Sequence, residues 1–100
     1  MTPEEVLKIL WEEKGRRALK YSRAALSDMQ RFMRAPSHLN VLEALMMAGS
    51  DELDRFVRGY RQHLIRGELP IGTGNRRLAV LRAILKILGP MRFDILKVFP

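Results

Sequence analysis

The chain has no cysteine. That excludes disulfide stapling and every thiolate metal site, and it fits a reducing cytoplasm. No apolar run approaches the roughly 18 residues that a membrane helix needs. The opening Met1-Thr2-Pro3-Glu4-Glu5 is acidic, unlike a secretory signal. A glycine-rich phosphate loop, an activated-serine motif and paired carboxylates in an apolar setting are all missing. His38 and His63 have no acidic or cysteine partner at metal-ligand spacing, and both read as surface residues. His63-Leu64-Ile65-Arg66 has the outline of a catalytic His-x-x-Arg but lacks the partners. The chain is therefore expected to be no enzyme and to hold no cofactor and no metal.

Acid is also scarce. Eleven Asp and Glu face eighteen Lys and Arg, leaving a net charge of +7. The isoelectric point near 10.6 is the footprint expected of a nucleic-acid binder. The distribution says more than the sum. Residues 14–34 carry Lys14, Arg16, Arg17, Lys20, Arg23, Arg31 and Arg34 against Asp28 alone. Residues 70–89 carry Arg76, Arg77, Arg82 and Lys86 with no acid. The acids gather instead in residues 1–13 and 35–54.

Hydrophobic residues make up 47% of the chain, enough for one modest core. Their spacing predicts an all-α bundle of four to five short helices over residues 1–90. Thr2 and Glu5 form a capping box around Pro3, and the first helix runs to about Lys14, with Val6, Leu7, Leu10 and Trp11 on its apolar stripe. The second runs from Arg17 or Ala18 to Met33 or Arg34, ended by Ala35-Pro36. Its core side holds Ala18, Tyr21, Ala25, Met29, Phe32 and Met33. A short third helix covers Ser37 to Ala48. Ser50 caps a fourth with Leu53, Phe56, Val57, Tyr60 and Leu64 inward and Gly67 just past its end. The fifth starts at Thr73 or slightly earlier and stops at Gly89-Pro90. Leu78, Leu81, Ile84, Leu85 and Leu88 form its apolar face, and Asn75, Arg76, Ala79, Arg82, Ala83 and Lys86 its polar one.

Two constellations point to DNA. On the second helix, Arg16, Lys20, Arg23, Ser27, Gln30 and Arg34 follow one another at spacings of three or four, so they share a face. Such a face suits the major groove, where Arg forks onto guanine or holds phosphates. A solvated surface face is the ordinary reading of such a stripe, but ordinary surfaces mix both signs. The second constellation is Thr73-Gly74-Asn75-Arg76-Arg77-Leu78. Arginines at a helix start oppose the helix dipole, so stability does not account for them, whereas free N–H groups there suit a phosphate. Arg77 falls on the apolar side of its helix, so it either projects past the core or snorkels along it.

Two stretches carry a family resemblance. Residues Tyr21 to Met33 resemble the pattern Thr-x-Arg-Ala-Tyr-x-x-Asp-Leu-x-x-Phe-Leu. Thr73-Gly74-Asn75-Arg76-Arg77-Leu78-Ala79-Val80-Leu81-Arg82 resembles Thr-Ile-Asn-Arg-Arg-Leu-Ala-Ala-Leu-Arg. Leu53 to Gly67 is similar to the middle helix between them. Together they resemble the N-terminal core-binding domain of tyrosine recombinases, the phage integrase and Xer group, which has a SAM-like helical fold. Tyr21, Ala25, Gly74 and Pro70 depart from the family's usual Thr, Tyr, Ile and Ser, and Ser37–Gly49 is an added segment.

The resemblance implies a domain that clamps one side of double-stranded DNA within a synaptic tetramer of recombinase protomers. It implies contacts from Tyr21, Arg23, Ala24 and Ser27, then Thr73, Arg76, Arg77 and Val80. The helical faces add Arg16, Lys20 and Arg82. The family's strand-exchange chemistry lies in a separate catalytic domain, toward which residues 91–100 would begin a linker. The alternative expectation is a helical protein-interaction module that binds an acidic partner through the same face.

Overall fold

A computed structural model describes residues 1–12 and 15–89, with side chains for all of these except 15–19. The proposed linker, residues 91–100, lies outside the described residues. Five helices follow in order: α1 (Pro3–Glu12), α2 (Gly15–Met33), α3 (His38–Met47), α4 (Ser50–Arg66) and α5 (Ile71–Leu88). No strand occurs among the described residues. The fold is an all-α bundle of five helices, as the periodicity predicts, and none of its described helices is long and apolar enough to cross a membrane.

Local chemistry sets most of the helix ends. The Thr2 hydroxyl accepts from the Glu5 N–H at 3.2 Å and donates to the Glu5 carboxylate at 3.2 Å. Ser37 caps α3 by accepting from the Asn40 N–H at 3.2 Å. Pro36 forces α2 to stop: Arg34 turns left-handed (φ 57°), and the Ala35 N–H reaches back to the Gln30 carbonyl at 3.0 Å. Three expectations shift. Helix α2 begins at Gly15 rather than at Arg17 or Ala18. Gly49, rather than Ser50, is the N-cap of α4, its carbonyl taking the Leu53 N–H at 2.9 Å. Gly67 keeps φ −76°, and Glu68 takes the left-handed turn at φ 54° instead. Helix α5 begins at Ile71, slightly before Thr73 as expected, because the Pro70 carbonyl collects the N–H groups of both Thr73 and Gly74.

The core lies between all five helices. Val6 and Leu10 of α1, Ala25, Leu26 and Met29 of α2, and Val41, Leu42 and Leu45 of α3 are buried. So are Leu53, Val57, Tyr60 and Leu64 of α4, and Val80, Leu81, Ile84 and Leu85 of α5. Helix α2 is central: it packs against each of the other four. Its buried strip is displaced from the expected one toward Ser22 and Leu26, and Tyr21, expected inward, is 41% exposed. Seven residues beyond Tyr21, Asp28 is 6% exposed, a carboxylate inside the domain.

Candidate nucleic-acid interface

A helix advances 100° per residue, so α2 carries two adjacent stripes on its polar side. One is Tyr21, Ala24, Asp28 and Arg31; the other is Lys20, Arg23, Ser27 and Gln30, with Arg34 just past the end of the helix. The first borders α5. The Arg76 guanidinium lies over the Tyr21 ring at 4.7 Å, a cation–π stack. Two turns along, the Arg77 guanidinium meets the Asp28 carboxylate at 3.2 Å. The second stripe borders α1 and α3. Arg23 lies over the Trp11 ring at 5.2 Å, and the Ser27 hydroxyl shares a hydrogen bond with His38 Nε2 at 3.0 Å.

Asp28 is the hub of the first stripe. The Tyr60 hydroxyl donates to it at 2.8 Å. His63 Nε2 lies 3.3 Å from one of its oxygens, and the exposed Arg31 guanidinium 3.6 Å from the other. Burial pushes the Asp28 carboxyl up. The hydrogen bonds of Tyr60 and His63, with the charges of Arg77 and His63, outweigh it and leave the group below its ordinary value. The Tyr60 hydroxyl is raised well above the usual range, by burial and then by the hydrogen bond and charge of Asp28. The rings of Phe32, Phe56, Tyr60 and His63 pack on one another at centroid distances between 5.0 and 5.9 Å, with Tyr60 stacked on both Phe56 and His63.

The structure separates the expected contact residues into three groups. Lys20, Tyr21, Arg23, Ala24, Arg76 and Arg82 are exposed. Ser27 and Thr73 are half-buried, Ser27 with its hydroxyl engaged by His38. Val80 and Arg77 require correction. Val80 is 6% exposed and belongs to the core, because its position on α5 is covered by neighbouring helices rather than by solvent. The Arg77 side chain is 18% exposed and is drawn inward by Asp28; its Nε atom is buried without a hydrogen-bond partner. Arg16 lies among the residues whose side chains are not described.

The expected phosphate site at Thr73 also changes. With α5 starting at Ile71, the N–H groups of Thr73 and Gly74 are occupied, and Arg76 stands in the second turn. Neither histidine is the isolated surface residue expected: His38 is tied to α2 and His63 to Asp28. These partners lie 11 and 35 residues away in the chain, beyond the reach of spacing rules.

The other side of α5 faces a cleft of about 560 Å³. Leu64, Leu69 and Leu78 supply apolar wall, Arg61, Asn75 and Arg82 are its polar members, and no carboxylate lines it. Ile65 and Ile71 at its edge are 64% and 83% exposed. No family model, curated protein or solved structure matches this chain.

Proposed function

We propose that this domain binds double-stranded DNA as the core-binding domain of a site-specific tyrosine recombinase, gripping one side of the duplex in DNA integration or recombination. One observation carries the reading. The single acid of α2, Asp28, is buried, and α5 has no acid at all, so neither of these two packed helices exposes a carboxylate of its own beside its arginines and lysines. Ordinary protein surfaces intersperse both signs.

Lys20, Arg23 and Arg31 on α2, Arg34 just past its end, and Arg76 on α5 are the side chains offered to phosphates, together with Arg82, which also lines the cleft. Tyr21 and Ala24 sit between them. Tyr21 carries Arg76 over its ring, and Ala24 leaves space for a backbone to approach closely. The work of the domain is grip and placement; strand exchange belongs to the family's catalytic domain, and neighbouring protomers would complete the synaptic tetramer.

The test is fluorescence anisotropy with a random-sequence duplex of roughly 30 base pairs at two salt concentrations. A protein that neutralises six to ten phosphates loses about 10³–10⁵ in affinity between 50 and 200 mM salt. Steep salt dependence, with weaker binding by a Lys20→Ala, Arg76→Ala double variant, supports the reading. Absence of binding at low salt refutes it. The apolar cleft favours a second reading, a protein-interaction module for an acidic partner, which predicts negligible DNA affinity at about 0.15 M salt, where nonspecific duplex binding would still be measurable.

A further inference from the structure

We infer that Asp28 is a positioning residue for the DNA-binding surface: it holds Arg77 inside the α2–α5 seam, so that of two adjacent arginines only Arg76 is offered to phosphate. This rests on the DNA-binding reading and assigns within it a residue that touches no DNA.

The geometry divides the two arginines. Consecutive helical residues point about 100° apart, so Arg76 and Arg77 cannot share a direction. Arg76 is exposed and rests on Tyr21. Arg77 is largely enclosed and ends on a carboxylate whose own side chain is 8% exposed. Tyr21 and Asp28 are seven residues apart on one stripe of α2, about 10 Å along the axis. Each receives one of the two neighbouring guanidiniums. That pair of contacts fixes how far α5 slides and turns on α2, and therefore where Arg76 and Arg82 stand relative to Lys20 and Arg31.

The anchor for this arrangement comes from α4. Tyr60 donates to Asp28 at 2.8 Å, and His63 lies within 3.4 Å of both carboxylate oxygens. The carboxylate is thus oriented by a third helix that contributes none of the proposed DNA contacts. Without it, Arg77 would be a cation enclosed without a counter-charge, and it would turn outward to water or phosphate.

The slope of log affinity against log salt counts the phosphates neutralised, at about 0.9 per contact. Anisotropy titrations over several salt concentrations therefore distinguish the two arginines. Arg76→Met is expected to flatten the slope by about 0.9. Arg77→Met is expected to leave the slope as in the wild type, whatever it does to overall affinity. Asp28→Asn is expected to steepen the slope by about 0.9 as Arg77 is released, and adding Arg77→Met to that variant is expected to cancel the increase. A loss of slope in Arg77→Met matching that of Arg76→Met overturns the inference while leaving DNA binding intact. It also decides the matter if the Asp28 variant does not fold. Failure of the wild type to bind the duplex overturns both the inference and the reading beneath it.

Discussion

Arg76 and Arg77 are neighbours in the chain and belong to different parts of the molecule. Arg76 is on the surface, stacked on a half-exposed tyrosine. Arg77 is in the seam between α2 and α5, paired to a buried acid. The comparison teaches that a run of basic residues is not a uniform contact strip. One member of the run builds the scaffold that presents the other. The outer surface is held by contacts that are weak in water, while the seam is held by charge-assisted hydrogen bonds at low exposure, where each lost partner is costly.

The largest expected difference comes from Asp28→Ala. It strips Arg77 of its counter-charge and leaves the Tyr60 hydroxyl, itself buried, without its acceptor. Removing one partner of such a group destabilises by about 3–5 kcal/mol when burial is complete; partial exposure of Arg77 places this case nearer about 3 kcal/mol. Urea unfolding measures it. Arg76→Ala, by comparison, is expected to shift the midpoint by less than about 1 kcal/mol equivalent. Equal effects would erase the distinction between seam and surface.

Tyr60→Phe removes one donor to the carboxylate and keeps the ring stack. Its expected cost is about 2 kcal/mol, the scale of a hydrogen bond to a charged group. A neutral result in the same unfolding experiment would show that His63 and Arg77 suffice to hold Asp28.

Acid separates the two regions further. The folded Asp28 carboxyl lies below its ordinary value of 3.8. A depressed carboxyl contributes stability that is fully present above the unfolded value and is lost as pH falls through the folded one. Stability measured from pH 5 downward is therefore expected to fall below about pH 4, and Asp28→Asn is expected to flatten that part of the profile. An unchanged profile in the variant would assign the acid sensitivity to other carboxylates.

The smallest effect belongs to the surface. Tyr21→Ala removes the platform under Arg76, a cation–π contact of about 0.5–1 kcal/mol at an exposed site. Folding is expected to be nearly unchanged, with duplex affinity reduced several-fold and the salt slope retained. A large loss of stability would place Tyr21 with the core, as its helical spacing had suggested.

Much of this architecture is legible in the sequence. Thr2 with Glu5, Ser37, Pro36 and Gly89 mark helix ends through short-range chemistry, and the inward residues of α4 follow directly from 3.6-residue spacing. The seam is not legible in the same way. Asp28 counts in the sequence as the one exception in a basic segment; only the packing of α2 against α4 and α5 turns it inward onto Tyr60, His63 and Arg77. The sign of Arg77 was visible as an anomaly, a charge on the apolar side of its helix, but its partner is 49 positions away. Val80 is a contact position by family pattern and a core residue by packing, because a pattern specifies positions, whereas exposure depends on which neighbour covers them. The roles of the histidines escape spacing rules for a related reason: their partners lie on other helices. The start of α5 slightly before Thr73 is legible, but that Pro70 is the residue whose carbonyl opens the helix at Ile71 is a matter of local hydrogen bonding.

The central claim is that the acid-free outer faces of α2 and α5 are where duplex DNA sits. Amide chemical-shift mapping by NMR, on the isotope-labelled protein titrated with a roughly 30-base-pair duplex at low salt, tests it directly. The expected shifts concentrate from Lys20 to Arg34 and around Arg76, reversed by added salt, with Leu64, Ile65, Leu69 and the α3 amides little changed. Shifts absent from α2, or centred on Ile65 and the apolar cleft, would contradict it.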